Sequence, residues 1–414
     1  MDIIAGTKFN MLGVPCPDDV YIIGAYRTAV GSMNGQFKSY GAHKLGAGLI
    51  RGALSKLGIT DDLIDKVYMG QVLKSENVEN PAELLHKEAD FPASVPSYIL
   101  KHDCASSLKA LIRGYKDIKC NVAQFVICGG QESSSQFPCN FKLYENSNEA
   151  YKKEIAIFDT PVKKGLVVGG LTEYPAEINH LKEGEQFSYV HKIDRVSQDE
   201  QSMESIERSL KALNDKVFEE QIIAFNNVTK DETIVSRVNE SYRTISSCLP
   251  LLKVHPNYLT PTITSSNSAQ YADGAAVLFV CSGRSSLAFL KQPIARIVGF
   301  VEVSVSLHDL GNGQITAIRK LFRALHWNTN TVDLYEIYEP YAAQTVAIMQ
   351  ALQINPFRVN VTGGTIAFGN PIGATGARMV VTLIHNLRRL GLTKGIVSMY
   401  TPAGLAIAMA IEAY

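Results

Sequence analysis

From Asp19 to about Pro138, short apolar runs alternate with amphipathic stretches. Tyr21-Ile22-Ile23 reads as a strand, and Leu45 to Leu57 repeats apolar residues at helical spacing before stopping at Gly58. Lys66-Val67-Tyr68-Met69 reads as a second strand ending in Gly70, Leu108 to Ile118 as a helix, and Gln124 to Cys128 as a strand closed by Gly129-Gly130. Strands alternating with helices predict βαβ units around a largely parallel sheet, an α/β fold.

The character changes from roughly Cys139 to Val254. Charge density rises, apolar runs shorten, and Lys, Glu, Asn and Ser dominate. Ser197-Gln198-Asp199-Glu200 has the form of a capping box and predicts a helix through about Leu213. The stretch is too long for a plain loop and reads as an inserted, surface-rich region. Beyond Pro261 the α/β pattern returns in the likeness of the first half. Leu57-Gly58-Ile59-Thr60, with Asp65 before a strand, matches Leu325-His326-Trp327-Asn328, with Asp333 before a strand, at an offset of 268. Gln124-Phe125-Val126-Ile127 and Ile396-Val397-Ser398-Met399 match at an offset of 272. The pattern predicts a duplicated unit interrupted by that inserted region.

At 414 residues, two or three domains are expected. Lys+Arg 40 balance Asp+Glu 40, so the footprint of a nucleic-acid or membrane-surface partner is missing. No apolar run approaches the ~18–20 residues of a spanning helix. Seven cysteines, Cys16, Cys104, Cys120, Cys128, Cys139, Cys248 and Cys281, form no CxxC pair, and no HExxH occurs, so no metal site is signalled. A reduced, intracellular protein is expected, with the cytoplasm as default and mitochondria as the alternative.

Among the cysteines, Cys104 in KHDCASSLKALIRGY stands out because it precedes an amphipathic helix. Free N–H groups at a helix start lower a thiol pKa, which a nucleophile that forms a thioester requires. Several segments resemble the thiolase family, enzymes that cleave or condense 3-ketoacyl-CoA thioesters. They are RTAVGS at Arg27, YMGQV at Tyr68, DCASSLKA around Cys104, GGQESSS at Gly129, SQDEQ at Ser197, ADGAAVLF at Ala272 and VNVTGGTIAFGNPIGATGAR from Val359. The resemblance runs from about Val20 to Glu412. It implies a thiolase-like fold of two duplicated α/β halves with layered sheets and helices plus an inserted loop domain: one half spanning 1–140 and 257–290, the insertion 141–256, and the second half 291–414. It also implies a dimer or tetramer of identical chains, no tightly bound cofactor, and a coenzyme A thioester as substrate or ligand.

The resemblance assigns Cys104 as the nucleophile, and the other elements depart from the family. Asn370 in GNPIG replaces the activating His of the family's GHPIG run. Tyr338 in YEPY falls on the Asn of its NEAF run, and Tyr400 on the acid/base Cys of its CxG run. Pro402 falls on the Gly of CxG, and its missing N–H removes an oxyanion-hole donor. Ala269 replaces a Ser that lies beside the pantetheine, so weaker coenzyme A binding is expected. No cysteine follows Cys281, and the one histidine after His326 is His385, within an expected helix. The related chain-elongating β-ketoacyl synthases carry an Asn in a GN turn, as at Asn370, but Tyr338 stands where their His would be.

Two strings are set aside. Ser106-Ser107-Leu108-Lys109 with Ser265-Ser266-Asn267 mimics the SxxK and SxN of penicillin-binding enzymes but lacks KTG. Gly311-Asn312-Gly313 reads as a turn, not a dinucleotide fingerprint. Trp327 reads as packing. Two functions remain in view: a thiolase-type acyl-CoA acyltransferase impaired at its acid/base groups, with Cys104 the most reactive of the seven thiols, or a catalytically inactive thiolase fold that binds acyl-CoA or a protein partner.

Overall fold

The apolar runs become strands β1 (Val20–Arg27), β2 (Gly31–Ser32), β3 (Lys66–Gly70), β4 (Ser97–Leu100), β5 (Phe125–Ser133), β6 (Ala272–Ser282), β7 (Ala295–Ser304), β8 (Leu334–Ile337), β9 (Lys394–Tyr400) and β10 (Leu405–Ala413). The computed structural model describes residues 16–73, 80–136, 180–245, 261–288, 292–306 and 309–414. Cys139, Cys248 and parts of the 141–256 insertion lie outside them.

Strand order is β4-β3-β5-β6-β1-β7-β10-β9-β8, with β2 paired to β6. The sheet is mixed, not largely parallel. Only β3–β4, β3–β5 and β8–β9 run parallel, while β6 and β10 return antiparallel to their neighbours. A parallel pair needs a crossover, which helices Ser106–Lys119 and Thr375–Arg389 supply before β5 and β9. From β9 to β10 the chain instead turns tightly at Thr401–Gly404, where Gly404 donates to the Thr401 carbonyl at 3.1 Å.

The duplication is visible in the sheet. Read inward from either side, β3-β5-β6-β1 repeats as β8-β9-β10-β7, and the halves meet where Tyr21 and Ile22 pair with Arg296 and Ala295. Asp65 accepts the N–H groups of Gln124 and Phe125 at 2.6 and 2.9 Å; Asp333 accepts those of Thr393 and Lys394 at 3.1 and 2.7 Å. These matching clamps make Phe125 equivalent to Lys394, so the match at offset 272 was displaced by three residues. Resemblance between apolar strand residues fixes a strand but not its register.

Local details follow from the sequence with three corrections. Helix Ala42–Leu57 buries Leu45, Leu49, Ile50, Ala53 and Leu54 and ends on Gly58 at φ 62°, a left-handed position open to glycine. Gly129-Gly130 do not close β5, which runs on to Ser133; they let other backbone in, since a Cβ at Gly129 would strike the Ala276 carbonyl and one at Gly130 the Gly373 carbonyl. The helix in the insertion is Arg195–Asn214, capped by Asp194, whose side chain accepts from the Ser197 N–H; Ser197 is therefore inside the first turn. Gly311-Asn312-Gly313 opens helix Asn312–Leu325. Trp327 packs on the core, with Lys394 Nζ 5.0 Å from its ring centroid.

Helices Ser106–Lys119 and Thr375–Arg389 lie together, and the Ala377 N–H donates to Ser107 Oγ at 2.9 Å. A fully buried ion pair ties the insertion to β1: Arg27 meets Asp231 at 2.6 and 2.9 Å, with both side chains at 0% exposure.

Candidate active site

Three backbone segments converge on the start of helix Ser106–Lys119. A Cβ at Gly70 would sit 2.5 Å from the Ser107 nitrogen and 2.7 Å from the Gly373 carbonyl oxygen, so only glycine lets β3 approach both. Glu132, wholly buried on β5, accepts the N–H groups of Val72, Leu73 and Gly373 at 3.1, 3.1 and 2.9 Å. Burial still pushes its carboxyl up to about 7. This clamp holds the chain after β3 to the turn that follows Asn370.

On that frame the structure brings Cys104, Tyr338, Asn370 and Tyr400 together. Cys104 Sγ lies 3.1 Å from Tyr338 Oη, and Asn370 Nδ2 donates to the same oxygen at 3.1 Å. Thr375 Oγ1 donates to Asn370 Oδ1 at 2.7 Å, which orients the amide. Either the thiol or the phenol can donate in the contact between them. The Tyr400 ring meets the Tyr338 ring edge-on, centroids 6.1 Å apart. Ala269 donates its N–H to the Pro340 carbonyl at 3.0 Å and so adjoins the Tyr338–Tyr341 stretch. Pro402 lies in the turn just past Tyr400 and has no N–H to offer.

Burial works against the expected activation of the thiol. Cys104 is only 6% exposed, and burial pushes its thiol up to about 12 against the smaller lowering effects of Tyr338 and Asn370. The Ala105 and Ser106 N–H groups donate to the His102 and Asp103 carbonyls at 3.1 and 3.0 Å, and the remaining backbone contribution to a lower pKa is smaller than the effect of burial. The neighbouring Asp103 charge opposes a thiolate as well. Burial also raises the phenols of Tyr338 and Tyr400 far above the neutral range. His385 bonds the Ala25 carbonyl at 2.9 Å, and burial lowers its pKa. Among the described residues, no histidine or carboxylate hydrogen-bonds the Cys104 sulfur.

Lys109 is engaged with Glu302, and Ser106 Oγ with the Asp103 carbonyl, so the SxxK string has no catalytic arrangement. Among the described residues, no group of three or more His, Cys, Asp or Glu is placed to hold a metal, and no helix is long and apolar enough to cross a membrane.

Residues 20–284 match the thiolase N-terminal domain, and residues 291–413 match the thiolase C-terminal domain. The chain belongs to the thiolase family. This thiolase is 30% identical over 396 residues to an acetyl-CoA acetyltransferase of Cupriavidus necator, covering 95% of this chain and 99% of that one. It is 29% identical over 398 residues to a cytosolic acetyl-CoA acetyltransferase of Rattus norvegicus, covering 95% and 98%. Among solved structures, the Acat5 thiolase of Ascaris suum in complex with coenzyme A superposes with a TM-score of 0.86 at 25% identity, covering 96% of this chain and 100% of that one. The Bacillus anthracis acetyl-CoA acetyltransferase superposes at 0.82 with 27% identity, covering 96% and 99%. The duplicated halves of the sheet are thus the thiolase fold.

Sequence reasoning missed several residues at this thiolase site. Tyr271 bridges Asn370 through its backbone, and Tyr341 bridges Ser268. Thr375 orients Asn370, and Glu183 acts electrostatically on Tyr341 and Tyr400. Tyr341 was legible in principle, three residues after Tyr338 in YEPY. Nothing local to Glu183, deep in a charged stretch, marks it.

Proposed function

We propose that this chain is an acyl-CoA acyltransferase of the acetyl-CoA acetyltransferase type, acting through an acyl-thioester on Cys104 and impaired in turnover. The relatives named above support the reaction class. The impairment is carried by one observation: the Cys104 sulfur faces a phenol and an amide, at 3.1 Å and one step beyond, where a thiolase needs groups that move protons.

The first half-reaction remains chemically complete. The Cys104 sulfur attacks the thioester carbonyl, the bond to the coenzyme A sulfur breaks, and the thiol proton goes to the departing sulfur. The products are acyl-Cys104 and free coenzyme A. Tyr338 O–H donates to the sulfur as it gains charge, while Asn370 holds Tyr338 in place without being able to carry a proton. Thiolysis or condensation needs a second proton shuttle. Tyr400 is a poor one at neutral pH because burial raises its phenol. Loss of a general base typically costs about 10²–10⁴-fold. Coenzyme A affinity below that of an ordinary thiolase belongs to the same proposal, through Ala269, as does assembly into a homodimer or homotetramer in the cytoplasm. A monomer in light scattering would count against the assembly.

A specific observation favours a second reading. Cys104 is 6% exposed with Tyr338 seated on its sulfur, which suits a chain that binds acyl-CoA and does no chemistry. Intact-mass spectrometry after incubation with acetyl-CoA separates the two. One acetyl adduct, absent from Cys104→Ala, supports the acyltransferase; coenzyme A binding with no adduct supports the binding protein.

A further inference from the structure

Two buried guanidiniums lie against one ring beside the Cys104 site. Phe368 ends the short helix Thr365–Phe368 and is followed by Gly369, at φ 79°, and then Asn370. The guanidinium carbon of Arg378 stands 4.8 Å from the Phe368 ring centroid and that of Arg27 5.3 Å. Arg27 is met by Asp231 and Gln221 and belongs to the pair that ties the insertion to β1. Arg378, 2% exposed, is less well met. Its Nη2 donates to Thr365 Oγ1 at 3.2 Å, and its Nη1 lies 3.7 Å from Glu336 Oε2, beyond hydrogen-bond distance. Arg378 Nε, Arg378 Nη1 and Glu336 Oε2 meet no hydrogen-bond partner among the described residues.

Stability does not account for this pair. Burial works against both charges, lowering the pKa of Arg378 and raising that of Glu336. A buried ion pair with incomplete hydrogen bonding is often replaceable by apolar residues at no loss of stability. What the pair accomplishes is spatial. Arg378 leaves the first turn of helix Thr375–Arg389, three residues after the Thr375 hydroxyl that orients the Asn370 amide. Thr365, which accepts its hydrogen bond, and Phe368, which takes its flat face, lie in the turn that delivers Asn370. Glu336 lies in β8, two residues before Tyr338. Tyr338 and Asn370 are the residues that meet at the Cys104 sulfur. One side chain therefore touches both of the backbone segments that carry them.

We propose that Arg378 is a positioning residue for the Cys104 site: its guanidinium fixes the Thr365–Asn370 turn against the end of β8 and so sets the Tyr338 phenol and the Asn370 amide on the sulfur. Its action is indirect, through those two residues. A lysine keeps the charge but has no plane to lay on Phe368, so charge alone does not replace it. The inference rests on Cys104 being the reacting thiol, as the proposed acyltransferase has it.

The test is the rate at which dithiodipyridine modifies Cys104 at pH 8 in the full chain, followed by peptide mapping, with and without Tyr338→Phe. No coenzyme A is needed, so the result is independent of whether the acetyl adduct forms. In the otherwise wild-type chain Tyr338→Phe should slow the reaction about three- to tenfold. In Arg378→Met and in Arg378→Lys the same substitution should leave the rate within about twofold, because the phenol is no longer held on the sulfur. Altered access to the thiol cancels in this ratio. Thr365→Val removes the acceptor, keeps the shape, and should also shrink the factor; it decides the matter where the Arg378 variants lack a cooperative melt. Leu49→Ala, in a core cluster separate from that of Phe368, is destabilising and should leave the factor whole. A Tyr338 factor undiminished in the Arg378 variants, or in Thr365→Val where those do not fold, overturns the inference. Equal loss of the factor in Leu49→Ala also overturns it, by assigning the effect to stability alone. A Tyr338→Phe rate equal to wild type overturns the contact at the sulfur and the inference with it.

Discussion

The reactivity of Cys104 is set by burial, and its size can be worked out. At pH 8 an unperturbed thiol with a pKa near 8.5 is about one-quarter thiolate. A thiol pushed up to about 12 is roughly one part in ten thousand thiolate. The difference, ~2,000-fold, is partly offset because a more basic thiolate is intrinsically more nucleophilic. With a Brønsted slope of 0.4–0.5, a shift of ~3.5 pKa units gives back about 40-fold. Cys104 should therefore react with dithiodipyridine at pH 8 roughly 50-fold more slowly than a cysteine peptide, before any loss of access. Its rate should climb about tenfold per pH unit from 7 to 10 without levelling, while the peptide levels near 9. Tyr338→Phe removes the phenol that favours the thiolate and should slow the reaction a further three- to tenfold. Peptide mapping by mass spectrometry at timed quenches follows Cys104 separately from the other thiols. Modification as fast as the peptide at pH 8, or a rate that levels below pH 9, would refute the reasoning.

Asp231→Asn leaves the wholly buried Arg27 charge without its carboxylate and should cost about 3–5 kcal/mol in urea unfolding, where a loss under 1 kcal/mol would contradict it. Gly70→Ala drives a Cβ into the Ser107 nitrogen and the Gly373 carbonyl, both backbone atoms, and should depress the melting temperature by several degrees; an unchanged melt would show that the three segments can part. Glu132 carries a folded-state pKa of about 7 against 4.5 unfolded, so the folded chain holds a proton that the unfolded chain releases. That contribution is fully present below pH 4.5 and is lost as pH rises through 7, about 3 kcal/mol in all. Denaturation midpoints between pH 5 and 8 should fall with pH less steeply in Glu132→Gln than in wild type, and equal slopes would count against it.

The sequence showed strands, helices and a repeated order because burial imposes a period on apolar residues, and both halves obey it. It did not show register. Apolar residues at Gln124–Ile127 match Ile396–Met399 as strands, while the equivalence is set by Asp65 and Asp333, polar residues outside either run. Gly129-Gly130 looked like punctuation because close approach of the Ala276 and Gly373 backbones is a tertiary fact. Cys104, Tyr338, Asn370 and Tyr400 were legible as one site from motif positions, and the structure places them in one cluster. The state of the thiol was not legible. A helix start after Cys104 could be read, but not that its first N–H groups turn back on residues 102 and 103, nor that burial outweighs them. Tyr271 and Glu183 reach the site from separate segments, and no spacing along the chain announces that meeting.

The central claim is that this thiolase keeps its nucleophile and lacks the proton-moving groups that turn it over. Steady-state thiolysis of acetoacetyl-CoA with excess coenzyme A tests it most directly, run beside the Cupriavidus necator relative at equal concentration. The account predicts a rate at least ~10²-fold below that relative. An equal rate would contradict it and would require a base at Cys104 that the structure does not show.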